Sequence, residues 1–363
     1  MFSSFRLADA WPLGTVAEAS ESPGDPQDVF LLIGQSNMAG RAPVEELDNA
    51  VVEGALLFTG CGWEPLSNPV NRYSTVIVGD PLSRLGPGYT LARKLADVTG
   101  RRIGIVSNAR GGTSVSQWQK GYAGDRDFDL YEQAVSRARV ALEMTPGARL
   151  AGIIWHQGEA DDSPELAPHY LSRLERLTED LRADLNVPDA VLIVGEVGMW
   201  NGQGAHVNPV LRQVATHIKN AHWVSSADLV PLPLKDGSPN LNDPHFNTLS
   251  QRVLGGRYAD RVLEVVYGLS PGAVTLYAAN ELSHGRDFTG YSASLPVGEY
   301  DGDALARRGI MLEQISSVRV QAGYEIVFHA SQKTLSVRED RTTIRPAEDL
   351  EGAVQSVSIR LVP

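Results

Sequence analysis

The chain has 363 residues, 42% of them hydrophobic and 21% charged, a balance that is typical of a globular protein and excludes a disordered or fibrous one. The formal net charge of −12 disfavours nucleic acid and membrane surfaces as partners, because phosphate backbones and anionic headgroups are repelled. The single cysteine, Cys61, excludes an intramolecular disulfide and a cysteine-rich zinc site.

Residues 1–27 form an N-terminal extension that lacks a continuous apolar block. Acidic residues and Pro12 interrupt it, so it does not resemble a secretory signal, and we expect an intracellular protein unless a leader was removed. No apolar run approaches the roughly 18 residues that a membrane helix needs, so we expect no membrane-spanning segment.

From residue 28 to about 267, short apolar runs alternate with amphipathic stretches. Buried strands are predicted at 29–33, 103–106, 150–155, 191–194 and 223–224. Helices are predicted at 89–98, 130–144, 170–185 and about 249–266. This pattern predicts an α/β domain over residues 28–269, with helices covering a mainly parallel sheet.

Beyond Ser270 the composition changes to β-branched and aromatic runs separated by turn residues. Strands are predicted at 274–277, 315–320, 324–328, 334–337 and 357–362. We therefore expect a small all-β domain over residues 270–363.

Ser36 is a candidate nucleophile. It lies within Gly34-Gln35-Ser36-Asn37-Met38, directly after the first predicted strand, and ligands bind at the carboxyl ends of strands in parallel sheets. The same serine is also explained as the cap of a following helix, and its position alone does not decide between these roles.

A serine nucleophile needs a base and an acid that orients the base. Asp243-Pro244-His245 offers both in a loop before the last helix, although a helix-capping turn explains the same residues. Of the other histidines, only His156 follows a buried strand, and the rest are interpreted as structural.

Two further polar segments follow predicted strands. Gly111 and Gly112 allow backbone N–H groups to approach a ligand closely. The other segment places Gln157, Glu159 and Asp161 beside His156, and such a concentration of costly buried polar groups favours a site. A metal site of His156, Glu159 and Asp161 is disfavoured, because no second ligand cluster has suitable spacing, so we expect no metal.

Together these segments resemble the SGNH hydrolase superfamily, and within it the sialate O-acetylesterase and acetylxylan esterase branch of carbohydrate esterases. The resemblance covers about residues 28–267 and rests on motifs at 34–38, 108–118, 155–161 and 243–245. It implies a three-layer α/β/α fold of flavodoxin-like type. It also implies the following roles: nucleophile Ser36, base His245, orienting acid Asp243, and an oxyanion hole of the Ser36 and Gly112 N–H groups with the Gln157 side chain.

The sequence departs from the superfamily at two of these positions. One residue separates Asp243 from His245 where the superfamily has two, and Gln157 stands where it has asparagine. Glu159 is therefore an alternative acid, and a Ser–His pair held by a backbone carbonyl is a further alternative.

The resemblance implies an acetylated carbohydrate as substrate and no cofactor. Arg110, Trp118 and Trp155 are candidates for contacting the sugar, as is Trp63. Ordinary packing is the favoured explanation for each tryptophan, and a solvated loop explains the arginine equally well.

The C-terminal part, about residues 272–363, resembles a βγ-crystallin-type double Greek key. Where that family has calcium-binding Asp or Asn, this chain has Glu313 and Gln314, and in the second copy Ala353 and Val354. We therefore expect a stabilising or lid-forming domain rather than a calcium site.

The sequence thus predicts a serine esterase that removes acetyl groups from a carbohydrate. A carbohydrate-binding protein without catalysis and a lipase or thioesterase on the same fold are the alternatives. The sequence does not predict the sugar, the position of the ester or the oligomeric state.

Overall fold

The protein is described from a computed structural model, which describes residues 24–77, 84–123, 129–283, 286–331, 333–341 and 353–362. Most of the predicted N-terminal extension, up to residue 23, lies outside the described residues. No helix in these ranges is long and apolar enough to cross a lipid bilayer.

The strands and helices are numbered in chain order. The strands are β1 Asp28–Gly34, β2 Ala42–Pro43, β3 Ala55–Phe58, β4 Trp63–Pro65, β5 Arg84–Leu85, β6 Ile103–Ser107, β7 Arg149–His156, β8 Val191–Gly195, β9 Ala221–Val224, β10 Val274–Ala278, β11 Tyr291–Leu295, β12 Gly298–Asp301, β13 Ile315–Val320, β14 Tyr324–Ala330, β15 Thr334–Val337 and β16 Val354–Leu361. The helices are α1 Ser36–Ala39, α2 Gly88–Thr99, α3 Leu130–Glu143, α4 Tyr170–Asp184, α5 Asn208–Leu211, α6 Val214–His217, α7 Thr248–Tyr267 and α8 Gly302–Ala306.

A seven-stranded sheet organises the first part of the chain. Its strand order is β4-β3-β6-β1-β7-β8-β9, and every neighbouring pair is parallel except β3 with β4 at one edge. The mainly parallel sheet predicted from the sequence is confirmed. Strands β3 and β4 were not predicted from the sequence, because these runs are short and lack the β-branched residues that distinguish a strand from a helix.

Both faces of this sheet are covered by helices. On β1, Val29 and Leu31 belong to the core that includes residues of α3 and α4, whereas Phe30 and Leu32 belong to the core that includes residues of α2 and α7. Successive side chains of a strand point to opposite faces, so one buried strand fills both cores. The three-layer α/β/α architecture follows from this burial.

In the C-terminal region, all strand pairs among the described residues are antiparallel. One sheet has the order β11-β10-β13 and the other β12-β16-β14-β15. The separate all-β region predicted from composition is confirmed. Strand β11 was missed because its centre is Ser-Ala-Ser, a polar run of small residues with weak strand preference.

The two regions share a continuous hydrophobic core. Val253 and Leu254 of α7 belong to the same buried cluster as Leu305 and Ile310 of the C-terminal region. The C-terminal region therefore packs directly on the helix that follows the predicted Asp-Pro-His segment.

Candidate active site

The carboxyl end of β1 sets the position of Ser36. Gly34 has φ of +134° and pairs with His156 of β7, and a Cβ at position 34 would lie 2.1 Å from the His156 carbonyl oxygen. Only glycine fits this turn. The chain then enters α1, which starts at Ser36 itself, so the hydroxyl lies at the edge of the sheet.

Ser36, His245 and Asp243 form a chain of hydrogen bonds. His245 Nε2 lies 3.0 Å from Ser36 Oγ, and His245 Nδ1 lies 2.7 Å from Asp243 Oδ1. The same Asp243 oxygen accepts the backbone N–H of His245 at 2.9 Å. A spacing of one residue between acid and histidine is therefore compatible with direct pairing.

The surroundings keep His245 in the form that a general base needs. Burial lowers the pKa of the imidazole, and the positive charges of Arg41 and Arg84 act in the same direction. Asp243 opposes this shift by its charge and its hydrogen bond. His245 is consequently neutral near pH 7, with Nε2 facing the serine hydroxyl.

Asn37 links Glu159 to the loop that carries His245. Its Nδ2 donates to Glu159 Oε1 at 2.6 Å and to the Pro244 carbonyl at 3.0 Å, while its Oδ1 accepts the backbone N–H of Phe246 at 3.2 Å. Burial raises the pKa of Glu159 to about 7. The structure thus places Asp243 against the histidine ring, and connects Glu159 to the histidine loop through Asn37.

A cavity of about 680 Å³ opens in front of Ser36, within the size range of small-molecule sites. Ser36, His245, Gly112 and Glu159 line it, so these predicted residues are brought together. Three arginines also line the cavity: Arg41, Arg84 and Arg110. Of these, only Arg110 was a candidate from the sequence.

Gln157 does not reach this cavity. Its side chain is fully buried, and its Nε2 donates to Gln35 Oε1 at 3.1 Å, to the Thr113 carbonyl at 2.9 Å and to Asp161 Oδ2 at 2.6 Å. An amide nitrogen with these partners is not directed at a substrate. The expectation that Gln157 donates to the oxyanion is therefore corrected.

Gln35 is a cavity residue that the sequence analysis missed. Its Oε1 accepts from Gln157 Nε2 and from the Gly158 N–H at 3.4 Å, and the residue lines the cavity beside Ser36. The sequence signal was its position immediately before the candidate nucleophile, but the buried amide that orients it lies far away in the chain.

Trp118 and Trp155 are core residues, as the favoured packing explanation predicts, and they are not placed to contact a sugar. Both are fully buried and pack edge to face, with ring centroids 5.4 Å apart. Their indole N–H groups are paired internally, to Thr113 and to Tyr170. Trp63 lies on edge strand β4 and packs against Phe58.

His156 is also a core residue. Burial lowers its pKa to about 3, its Nδ1 lies 2.9 Å from Tyr258 Oη, and its ring packs on Phe246. Within the part of the chain that the structure describes, no cluster of three His, Cys, Asp or Glu side chains is arranged to hold a metal ion. Glu313 and Gln314, where βγ-crystallins have calcium ligands, end a short 3₁₀ turn before β13.

Comparison with known proteins shows the class of enzyme to which the chain belongs. The family model described as carbohydrate esterase, sialic acid-specific acetylesterase, matches residues 26–264. A probable carbohydrate esterase of Arabidopsis thaliana is 31% identical over 255 residues, which are 65% of this chain and 90% of that protein. The chain is thus a carboxylic ester hydrolase of the carbohydrate esterase type.

More particularly, the chain belongs to the family of sialic acid-specific acetylesterases. A solved Arabidopsis thaliana structure covers 66% of this chain and 99% of its own, with 26% identity and a TM-score of 0.56. The structure of NanS covers 67% of this chain and 98% of its own, with 18% identity and a TM-score of 0.50. This similarity shows the fold alone. A solved βγ-crystallin domain from Flavobacterium johnsoniae covers 24% of this chain and 94% of its own, with 20% identity and a TM-score of 0.20.

Proposed function

We propose that the protein hydrolyses acetyl esters on a carbohydrate through an acyl-enzyme formed on Ser36. The observation that carries this proposal is the hydrogen-bonded chain from Ser36 through His245 to Asp243, whose first two members line the cavity. A serine paired with a neutral histidine, itself held by a carboxylate, is the arrangement that activates a hydroxyl.

In the first half-reaction, His245 Nε2 takes the hydroxyl proton while Ser36 Oγ attacks the ester carbonyl carbon. The tetrahedral intermediate collapses, the bond to the sugar oxygen breaks, and the imidazolium returns its proton to that oxygen. In the second half, His245 takes a proton from water, which attacks the acyl-serine, and acetate leaves as the serine is reprotonated. Asp243 fixes the tautomer of the ring and stabilises its charged form.

The oxyanion of both tetrahedral intermediates needs preorganised donors. The backbone N–H groups of Ser36 and Gly112 keep the roles that the sequence analysis gave them. We assign the third role to Gln35, because Gln157 and Gly158 occupy its Oε1 and leave its Nε2 as the end of the amide available to the cavity. One such donor contributes about 10²- to 10³-fold to the rate.

Asp243 is the acid we assign, because it contacts the histidine directly. Glu159 acts indirectly, because it accepts a hydrogen bond from Asn37. The Asn37 side chain also forms hydrogen bonds with both residues that flank His245. Glu159 therefore supports the loop that carries the base.

The arginines at the cavity favour an acidic sugar as substrate. The net charge of −12 repels an anion over most of the surface, yet Arg41 and Arg84 lie close enough to lower the pKa of His245. A local positive field in an acidic protein attracts a carboxylate to that place. The family description, sialic acid-specific acetylesterase, agrees with this preference.

The experiment measures acetate release from O-acetylated sialic acid, acetylated xylan and acetylated monosaccharides in parallel, together with a p-nitrophenyl acyl series. We expect turnover by the wild type with short acyl chains, and a loss of at least about 10³-fold in kcat for Ser36→Ala. Binding of sugars without turnover would show a carbohydrate-binding protein instead. Preference for long acyl chains would show a lipase or thioesterase.

A further inference from the structure

The residue that caps α7 is joined to the C-terminal region. Asn247 follows His245 by two positions, and its Oδ1 accepts the Ser250 N–H at 2.8 Å, as a helix N-cap does. Its remaining side-chain donor, Nδ2, bonds Tyr291 Oη at 3.0 Å. Tyr291 begins β11 of the C-terminal region.

A second contact reaches the segment that pairs with the histidine loop. Leu232 N–H donates to the His245 carbonyl at 2.8 Å, and Asn247 N–H donates to the Val230 carbonyl at 3.0 Å. Asn280, also of the C-terminal region, donates to the carbonyl of Asp228, two residues before Val230, at 2.7 Å. The C-terminal region therefore bonds Asn247 of the histidine loop, and it also bonds Asp228, just before the segment that pairs with this loop.

Tyr291 is a rigid anchor. Its side chain is 2% exposed and belongs to the core that the two regions share, and its backbone pairs with Ala278 across the sheet. Burial raises the pKa of its phenol to about 12, so the hydroxyl stays neutral and is able to accept from the Asn247 amide. A hydroxyl held by core packing fixes its partner better than an exposed one does.

We propose that the C-terminal region positions the histidine of the active site: Tyr291, by binding Asn247, holds the loop 243–247 at the place where His245 reaches Ser36. This inference rests on the proposed function, since it concerns the same Ser36–His245 pair. Tyr291 is a positioning residue, because it acts through the side chain of Asn247 and does not line the cavity. Small displacements of a base lower the rate more than they lower substrate binding.

The hydrogen bond between Asn247 and Tyr291 is called the bridge here. The test uses the full chain with two variants, each of which removes one partner of the bridge. Tyr291→Phe keeps the ring and removes the hydroxyl. Asn247→Ser keeps an oxygen able to cap α7 but is too short to reach Tyr291. Tyr300→Phe is the matched control, because Tyr300 is equally a buried tyrosine of the C-terminal region, and its hydroxyl donates to the Pro296 carbonyl within that region.

We expect each bridge variant to lower kcat about three- to tenfold with KM changed less than about twofold, while Tyr300→Phe retains wild-type kcat. The double variant should lose no more than either single variant, because both remove one interaction. Near-UV circular dichroism and thermal midpoints accompany each assay, so that a loss of fold is recognised.

The positioning role would be overturned if Tyr291→Phe and Asn247→Ser were folded with wild-type kcat. Equal losses in Tyr300→Phe, or additive losses in the double variant, would overturn it too. Ser36→Ala, assayed beside them, separates the two proposals: an active Ser36→Ala contradicts the proposed function, whereas an inactive one with fully active bridge variants contradicts only the role of Tyr291.

Discussion

The oxyanion role proposed for Gln35 depends on which end of its side-chain amide is occupied by neighbouring residues. Replacing it with glutamate keeps an oxygen for Gln157 and Gly158 but removes the donor and places negative charge near the developing oxyanion. We predict that Gln35→Glu lowers kcat about 10²- to 10³-fold with a smaller change in KM.

The measurement is steady-state hydrolysis of p-nitrophenyl acetate. Gln213→Glu, the same change at an exposed position, serves as the control and should leave kcat unchanged. Wild-type kcat in Gln35→Glu would remove Gln35 from the oxyanion hole.

The two candidate acids are separated by paired amide variants. Asp243→Asn is expected to lower kcat by up to about 10⁴-fold, because the ring loses the partner that fixes its tautomer. Glu159→Gln keeps an oxygen to accept from Asn37 and is expected to lower kcat less than about tenfold. The reverse order of losses would assign Glu159 as the orienting acid.

The same Glu159→Gln variant also tests the raised pKa of Glu159, because it removes the ionisable carboxyl. In the unfolded chain this carboxyl ionises near its ordinary pKa of 4.5, but in the folded protein burial moves its pKa to about 7. The folded state therefore loses stability relative to the unfolded state as pH rises from about 4.5 through 7. Thermal midpoints are measured at pH 5 and pH 8. The midpoint of Glu159→Gln relative to that of the wild type should be higher at pH 8 than at pH 5.

At the scale of single residues, the sequence pointed to Ser36, Asp243, His245 and Gly112, because their types and order fit the proposed chemistry. It placed Gln157 at the oxyanion, and it offered the two buried tryptophans as sugar contacts although it favoured ordinary packing for them. Whether an aromatic ring or an amide at a strand end faces a cavity or the core depends on packing between distant segments, and periodicity does not report that packing.

At the scale of elements, the turn from β1 into α1 determines where Ser36 stands. We predict that Gly34→Ala destabilises the protein by roughly 3 kcal/mol or more, because its Cβ would overlap the His156 carbonyl. Gly147→Ala, at a positive φ of 90° with open space around it, should cost only about 1–2 kcal/mol. Urea unfolding compares the two, and equal losses would show that the strand-end contact is unimportant.

The central strands were predictable because they are apolar on both faces, as β1 shows. The edge strands β3 and β4 were not, since four- and three-residue runs give too little pattern. Strand β11 was missed for a different reason, the small polar residues at its centre, although its first residue, Tyr291, is the one that contacts Asn247.

At the scale of the whole molecule, the change in composition near Ser270 indicated where the all-β region begins, and the boundaries 28–269 and 270–363 stay predictions. Composition did not indicate that this region packs on α7 and contacts the histidine loop. Such contacts join residues far apart in sequence, so no local pattern records them.

The central proposal is that Ser36 becomes acetylated during turnover. The most direct test is to quench the protein while it hydrolyses p-nitrophenyl acetate and to measure its mass. We predict one added acetyl group on the peptide that contains Ser36, absent in Ser36→Ala. Turnover by the wild type with no acetylated intermediate, or with the acetyl group on another residue that is needed for turnover, would contradict the account.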